Sequence, residues 1–188
     1  MKKQGAAVVS WGCWDTLSHH PQRLGQLGLK GASRSGTGQP GSLLLFVMSL
    51  DASRAAAVTA KLKSIPISET LGLRLDSLGT GEAVITMSHD PAYHGIFESM
   101  HGGLLITLAD TCACVAILTT TGADAVITTT DMNIRFLAPC LSDATAHAKI
   151  IKFGKSLVPV HVSLRDTQGR EVAIAQVTYM RLEKMPTR

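Results

Sequence analysis

The sequence predicts an α+β domain in which a curved antiparallel sheet wraps around one long central helix. Residues 101–118 form a continuous apolar run, rich in Leu, Ala and Ile, which is too long for a typical strand and is typical of a buried helix. Segments with β-branched and alternating sequence lie on both sides of this run. One helix cannot cover so many strands unless the sheet curls around it, and this mismatch predicts the wrapped arrangement.

The segments before the central helix are, in order, a helix over 52–63, two strands within 73–89 and a loop over 90–100. The first helix is rich in helix formers, and Ser53 is its predicted N-cap. The two strands meet at Gly79-Thr80-Gly81, a combination that favours a hairpin turn. Asp90-Pro91 opens the loop.

After the central helix we predict strands over 125–137, 143–153, 157–166 and 170–182. The second of these alternates Ala with polar residues, and the third alternates Val and Leu with polar residues. Both patterns are expected when one face of a sheet is buried. Pro159 lies inside the third strand and has no backbone N–H, so its nitrogen is predicted to face a sheet edge or a bulge.

The first fifty residues differ from the rest in composition and charge. They hold eight of the seventeen glycines, and five basic residues against one acid, whereas residues 51–188 hold thirteen of each sign. Nucleic acid is not predicted as a partner, because a nucleic-acid-binding domain carries its positive charge on the folded body. We predict a disordered leader or upstream extension over 1–50, with native translation starting at Met48, and one domain over 51–188. An organelle-targeting peptide is the alternative for this acid-poor segment.

Membrane and redox features are weak. The apolar run at 43–48 is far shorter than the ~20 residues that a membrane helix needs, so no membrane span is predicted. Four cysteines are present, Cys13, Cys112, Cys114 and Cys140, and they match neither a disulfide framework nor a zinc spacing. We predict small buried thiols in a reducing, cytoplasmic location, and neither a metal nor a cofactor.

The start of the central helix carries the residues with chemical potential, in the stretch SMHGGLLITLADTC at 99–112. Gly102 and Gly103 begin the helix, so their backbone N–H groups are expected to be unpaired and accessible to a polarised carbonyl oxygen. Asp110 lies about two turns further on, on a narrow polar stripe of an otherwise apolar helix. Two interpretations stay open from the residues alone. Asp110 acts on a substrate, or it only hydrogen-bonds a threonine among residues 128–130 or a neighbouring backbone group.

HGGLLITLAD, followed about twenty residues later by TTTDMNIRFLAPC, resembles the hotdog-fold thioesterases of the phenylacetate-pathway (PaaI-like) type. The likeness covers roughly residues 65–182. It implies the hotdog fold, in which a curved antiparallel sheet wraps a long central helix. It also implies acyl-CoA thioester substrates and a homodimer that pairs sheet to sheet, usually within a homotetramer.

The resemblance assigns roles to individual positions. Gly102 matches the glycine whose N–H polarises the thioester carbonyl, and Asp110 matches the carboxylate that attacks the carbonyl carbon or activates a water. Thr129 matches a hydroxyl residue that orients the water or the carboxylate. In the family, the glycine and the carboxylate of one site come from different subunits. Asp110 is therefore expected to face a cleft at a subunit interface.

One position departs from the family pattern. Many relatives carry an Asn six residues before the motif histidine, where this chain has Gly95. His94 is the predicted catalytic replacement, and the alternatives are that Glu98 faces the site or that the loop differs. Residues predicted to line the substrate site are His101, Gly103, Glu98, Lys152 and Lys155. His101 is expected to close the loop onto the helix rather than act as a base, and the lysines are expected to meet CoA phosphates.

The predicted activity is the hydrolysis of acyl-CoA thioesters to a free acid and CoA. A hotdog dehydratase is less favoured, because it needs a catalytic histidine paired with an acid and only His101 lies near the helix. A non-catalytic acyl-CoA-binding or regulatory module is the alternative outside enzymes. The missing Asn supports that alternative, and the retained Asp110 argues against it.

Overall fold

The computed structural model describes residues 50–183. Residues 1–49 and 184–188 lie outside this range. The predictions for the leader, for Cys13 and for a start at Met48 therefore stay predictions.

The elements follow in the order α1 (Ala52–Lys63), α2 (Pro66–Thr70), β1 (Leu73–Gly79), β2 (Glu82–Met87), a 3-10 turn (Pro91–Tyr93), α3 (Gly102–Thr121), β3 (Val126–Phe136), β4 (Ala144–Ile150), β5 (Leu157–Asp166) and β6 (Glu171–Leu182). Every predicted helix and strand is present, within a few residues of its predicted bounds. The sequence interpretation missed α2, a single short helix whose first residue is Pro66, where a missing N–H costs nothing. It also chose the wrong cap for α1. Asp51 is the N-cap and accepts the N–H of Arg54 at 3.1 Å, while Ser53 donates its hydroxyl to the same carboxylate.

The six strands form one antiparallel sheet in the order β1-β2-β4-β5-β6-β3. α3 packs on its inner face, which confirms the predicted α+β hotdog architecture. The predicted alternation places the alanines of β4 and the valines of β5 in the core. Small residues bring the helix close to the sheet backbone, since Sγ of Cys112 lies 3.4 Å from the carbonyl oxygens of both Ala83 and Ala146.

Pro159 does not mark an edge strand. β5 lies in the middle of the sheet, between β4 and β6. The Pro159 carbonyl accepts the N–H of Ile151, which follows the last residue of β4. In an extended strand the nitrogen and the carbonyl of one residue point the same way. The proline nitrogen therefore faces Ile151, just past the end of β4, so the bond that proline cannot donate is missing from the end of the ladder and not from its middle.

The first helix covers the far end of the central one. Val58 and Leu62 of α1 are buried in the common core, and the Arg54 guanidinium donates to the carbonyl of Thr120 at 2.9 Å, near the end of α3. Within residues 50–183, α3 is also the one helix long and apolar enough to cross a membrane by length and composition. In this fold 56% of the apolar stretch of α3 is buried inside the domain, so its place in the core explains why the helix is apolar.

Candidate active site

The N-terminus of α3 presents the backbone N–H of Gly102 as a free donor. His101 is the N-cap, and its Nδ1 accepts the N–H of Gly103 at 3.0 Å. The prediction that both glycines keep an unpaired N–H is therefore wrong for Gly103. The N–H of Gly102 has no acceptor among residues 50–183. The expected role of His101 in closing the loop onto the helix is consistent with this geometry, because its own N–H donates to the carbonyl of Tyr93 at 3.2 Å.

Gly102 lies in a cleft of about 360 Å³ between the start of α3 and the end of β3. The cleft is lined largely by apolar residues, including Met100, Leu105, Phe136 and Leu137. A methyl group at Gly102 would lie 3.1 Å from Cζ of Phe136. The absence of a side chain therefore keeps the N–H open to the cleft.

Asp110 sits in the middle of α3 and is held by two hydroxyl donors. Thr129 Oγ1 donates to Asp110 Oδ1 at 2.9 Å, and the Tyr179 hydroxyl lies 2.8 Å from the same oxygen. Oδ2 has no hydrogen-bond partner among residues 50–183. These donors explain how a carboxylate is tolerated in an apolar helix, because charge-assisted hydrogen bonds are stronger than neutral ones. The predicted contact between Asp110 and Thr129 is present.

A β-bulge in β3 aims Thr129 at this carboxylate. Thr129 pairs with Tyr179 and Asp131 pairs with Thr178, so Thr130 is an extra residue in the ladder. Ile127 packs on the core before the bulge, and Met132 and Ile134 pack on it afterwards. Thr129 and Phe136 therefore both face α3, one beside Asp110 and the other beside Gly102.

Sequence reasoning missed Tyr179. Its side chain is buried on β6, and burial, then the charges of Cys114 and Asp110, raise the pKa of the phenol well above its ordinary value. Tyr179 is consequently a neutral donor at physiological pH. The alternation of β6 could have indicated that Tyr179 faces the helix, since Ala175, Val177 and Tyr179 share the inward face.

The cysteines behave as the predicted small core residues within the described range. Cys112 and Cys140 are buried, and Cys114 is half-buried beside Asp110. Burial and the Asp110 charge raise the pKa of Cys114 to about 11, so it remains a thiol. None of the three has the lowered pKa of a nucleophilic thiolate.

His94 and Glu98 lie in the loop before α3 and make no hydrogen bond to Asp110 or Thr129 within residues 50–183. Nε2 of His94 is 3.0 Å from Nε2 of His89, and the backbone of His94 bridges to Met100. Glu98 is exposed at the loop tip with a φ of 54°. The loop therefore brings His94 near the helix start and leaves Glu98 in solvent.

The two lysines lie at the opposite end of the helix. Lys155 lines a second cleft of about 480 Å³, together with Thr121, Ser156 and Arg181, and Lys152 is exposed in the same β4–β5 loop. Arg181 anchors this loop, since its guanidinium lies 4.9 Å from the centre of the Phe153 ring. Thr121 follows Asp110 by eleven residues, or ~16 Å along a helix. Gly102 precedes Asp110 by eight residues, or ~12 Å. The donor and the carboxylate of one chain are thus too far apart to act on one carbonyl group.

Solved structures share this architecture. The Escherichia coli PaaI protein from the phenylacetic acid degradation operon aligns with a TM-score of 0.67 and 25% identity, over 74% of this chain and all of that chain. A thioesterase family protein from Silicibacter pomeroyi aligns with a TM-score of 0.64 and 25% identity, over 69% of this chain and 98% of that chain. The fold and these structural neighbours define the class: this chain is a hotdog-fold enzyme of the PaaI-like thioesterase type.

The chain belongs to the family described as "Domain of unknown function (DUF4442)", whose model matches residues 54–180. Among curated relatives, human acyl-coenzyme A thioesterase 13 is 30% identical over 120 residues, which cover 62% of this chain and 84% of that protein. The 1,4-dihydroxy-2-naphthoyl-CoA hydrolase of Listeria monocytogenes serotype 1/2a (strain 10403S) is 26% identical over 113 residues, which cover 60% of this chain and 92% of that protein. The predicted family resemblance and enzyme class are confirmed.

Proposed function

We propose that this thioesterase hydrolyses acyl-CoA thioesters to a free acid and CoA, with Asp110 as the catalytic carboxylate. The observation that carries the proposal is the geometry of Asp110. Its Oδ1 is held by Thr129 and Tyr179, at 2.9 Å and 2.8 Å, while Oδ2 has no partner among residues 50–183. A carboxylate fixed through one oxygen with the other unpaired is suited to take a proton from water or to attack a carbonyl carbon. The names of the curated relatives support a CoA thioester as the substrate.

In the proposed reaction, the Gly102 N–H donates to the thioester carbonyl oxygen and stabilises the negative charge that develops there. Water adds to the carbonyl carbon as Oδ2 of Asp110 takes its proton. The C–S bond then breaks, and CoA leaves as a thiolate that takes up a proton. In the alternative route, Oδ2 attacks the carbon first and expels the CoA thiolate, which takes up a proton, and water hydrolyses the resulting anhydride. After a single turnover in ¹⁸O-labelled water, label in the Asp110 carboxylate identifies the alternative route with water attack on the aspartyl carbon, because water addition to the thioester labels only the product acid.

The active site is proposed to be shared between two copies of the chain. Within one chain, Gly102 and Asp110 are ~12 Å apart along α3, so a second copy has to supply one of them. β3 supports this arrangement, because it is an eleven-residue edge strand that pairs with β6 on one side only within residues 50–183. Such a long open edge is suited to pairing with another chain.

Antiparallel pairing of two β3 edges would place Thr129 of one copy near Phe136 of the other if the pairing is centred between Met132 and Asn133. Each such pair would bring the carboxylate of one copy towards the free Gly102 N–H of the other. The proposed assembly is thus a homodimer, or a homotetramer made of two such dimers.

The CoA nucleotide is proposed to bind in the cleft of about 480 Å³ beside the β4–β5 loop. Lys155 and Arg181 line this cleft and Lys152 flanks it, so cationic groups are available for phosphates. The cleft begins ~16 Å along α3 from Asp110, which leaves room for the pantetheine arm between the phosphates and the thioester. A cytoplasmic location remains part of the proposal, supported by the free Cys112, Cys114 and Cys140.

His94 is retained as the proposed replacement for the family Asn, because its loop closes against the start of α3. Nε2 of its imidazole is paired with Nε2 of His89 at 3.0 Å. If His94 touches the substrate, His94→Ala lowers kcat while His89→Ala, which removes only its ring partner, does not. Equal losses in the two variants would assign the pair to loop structure instead.

The test of the proposed function is CoA thiol release from aryl, short, medium and long acyl-CoAs by the wild type, Asp110→Asn and Glu69→Gln. Glu69 is an exposed residue on α2, and its change from carboxylate to amide is the matched control. Asp110→Asn is expected to lower kcat by ~10²–10⁴-fold, the usual effect of removing a positioned acid–base group, while Glu69→Gln stays near wild type. Activity of Asp110→Asn within a few-fold of wild type would remove the catalytic assignment. Binding without turnover in the wild type would favour an acyl-CoA-binding module.

A further inference from the structure

Two residues that face each other across the β3–β6 ladder converge on one oxygen of Asp110. Thr129 and Tyr179 are register partners, and both side chains point at α3 because of the bulge at Thr130. Their hydroxyl oxygens lie 2.9 Å and 2.8 Å from Oδ1. Both donors therefore restrain the same half of the carboxylate.

We infer that Tyr179 is a positioning residue for Asp110, which holds Oδ1 so that Oδ2 alone faces the reacting atoms. This inference rests on the proposed function of Asp110. A carboxylate on a helix is free to rotate about its terminal torsion, which is broad and roughly two-fold. The phenol on the neighbouring strand removes that freedom, because its ring is 4% exposed and packed in the core.

The phenol can serve Asp110 in both of its protonation states. Its oxygen lies 2.8 Å from Oδ1 and 3.0 Å from the backbone carbonyl oxygen of the same residue. A phenol has one proton and donates it to one acceptor at a time. The charged carboxylate draws this proton to Oδ1. When Oδ2 takes a proton from water, the carbonyl oxygen becomes the competing acceptor, and Tyr179 keeps a hydrogen bond throughout.

The titratable groups that interact with Asp110 are neutral at physiological pH. They are Cys114 on α3 and Tyr179 on β6. Cys114 and Tyr179 stay neutral at physiological pH, because burial raises the pKa of each. Thr129 on β3 does not titrate. Removal of the phenol hydroxyl therefore acts on the carboxylate through one lost donor and not through a change of charge.

The test is kcat and KM for Tyr179→Phe, with Tyr93→Phe as the matched control. Tyr93 is the only other tyrosine of the chain, and its side chain makes no hydrogen bond within residues 50–183. Loss of the phenol hydroxyl leaves Oδ1 with Thr129 as its one donor among the described residues. The kcat of Tyr179→Phe is expected to fall by about tenfold with KM unchanged, because a hydrogen bond to a charged group is worth about one power of ten in an equilibrium or a rate. Tyr93→Phe is expected to retain the wild-type kcat and KM.

Thr129→Val in the Tyr179→Phe background removes both donors and is expected to lower kcat further. A kcat of Tyr179→Phe per folded molecule that equals wild type overturns the inference, even if its melting temperature falls, since a structural role alone moves only stability. Asp110→Asn separates this failure from that of the proposed function. If Asp110→Asn is inactive and the kcat of Tyr179→Phe is unchanged, only the positioning role falls. If Asp110→Asn stays active, both fall.

Discussion

Nδ1 of His101 accepts the N–H of Gly103 at 3.0 Å, and this bond removes one of the first backbone donors of α3. The next N–H, from Leu104, turns back to the carbonyl of His101 at 2.8 Å. The N–H of Gly102 has no acceptor among residues 50–183. His101 thus pairs with two of the first three donors of the helix and leaves the N–H of Gly102 available to a substrate.

Replacement of His101 by Ala is expected to lower the free energy of unfolding by ~1 kcal/mol, the usual effect of losing an N-cap side chain. His101→Asn is the matched variant, because an Asn side chain can accept the same N–H. Its stability is expected to stay close to wild type. Denaturant unfolding of the three proteins measures both values, and equal stability of the Ala variant and the wild type would contradict the capping role.

Gly102→Ala is expected to reduce kcat/KM by about tenfold or more, because the new methyl group would crowd Cζ of Phe136 at 3.1 Å and narrow the cleft beside the free N–H. Phe136→Leu removes the ring that the methyl group meets. The double variant is therefore expected to recover part of the activity that Gly102→Ala loses. A thermodynamic cycle of kcat/KM over the four proteins measures this coupling. Additive losses would mean that the methyl group acts without contact to Phe136.

Mixing of two inactive variants tests the shared site. Asp110→Asn keeps a functional Gly102, and Gly102→Leu keeps a functional Asp110. In randomly mixed dimers, half are heterodimers, and each heterodimer holds one intact site if the two residues come from different copies. Activity of about one quarter of wild type is then expected after unfolding and refolding together. Recovery does not occur if each site is built within one chain.

The turn between β5 and β6 predicts how stability depends on acid. The Asp166 carboxylate is almost buried and accepts the N–H groups of Gln168 and Arg170 at 3.0 Å and 2.9 Å, and its Oδ2 pairs with the Arg170 guanidinium at 3.0 Å. Burial alone would raise the pKa of Asp166. The hydrogen bonds from Arg170 and Gln168 and the Arg170 charge outweigh it, so the pKa lies below the ordinary 3.8.

A carboxyl group with a lowered pKa in the folded state stabilises the fold above its unfolded pKa and loses that contribution as pH falls. The Asp166 contribution is thus complete above pH 3.8 and declines below it. Asp166→Asn is expected to lower the denaturation midpoint at neutral pH, with a difference from wild type that shrinks in acid. Urea titrations at several pH values check this. A difference that grows in acid would show that the sign is wrong.

Much of the fold was predictable because its signals are local. The apolar run that became α3 and the alternation in β4 and β5 each follow from the periodicity of one element. The cap of α1 was assigned two residues too late, since Asp51 and Ser53 are both good caps and only the backbone angles decide between them. Pro159 was predicted to face a sheet edge or a bulge, because sequence does not reveal where the neighbouring strand ends.

The site was predictable where a motif marks it, as at Gly102 and Asp110. Tyr179 was not, because it meets Asp110 across 69 residues of sequence through the pairing of β6 with β3. The pairing of Gly103 with His101 was also missed, because the rotamer of one side chain decides it. Contacts that depend on long-range pairing or on one rotamer are not marked by any recognisable residue spacing in the sequence.

The three consecutive threonines at 128–130 have the same side chain but different effects on the site. The bulge at Thr130 shifts the phase of β3, so that Thr129 and Phe136, an odd number of positions apart, face the same side. A deletion of Thr130 would not change the identity of any other residue of the strand. It would nevertheless turn either the threonine or the phenylalanine outward, and so uncouple the carboxylate end of the helix from its glycine end. For the site, the presence of an extra residue at position 130 therefore matters as much as which residue it is.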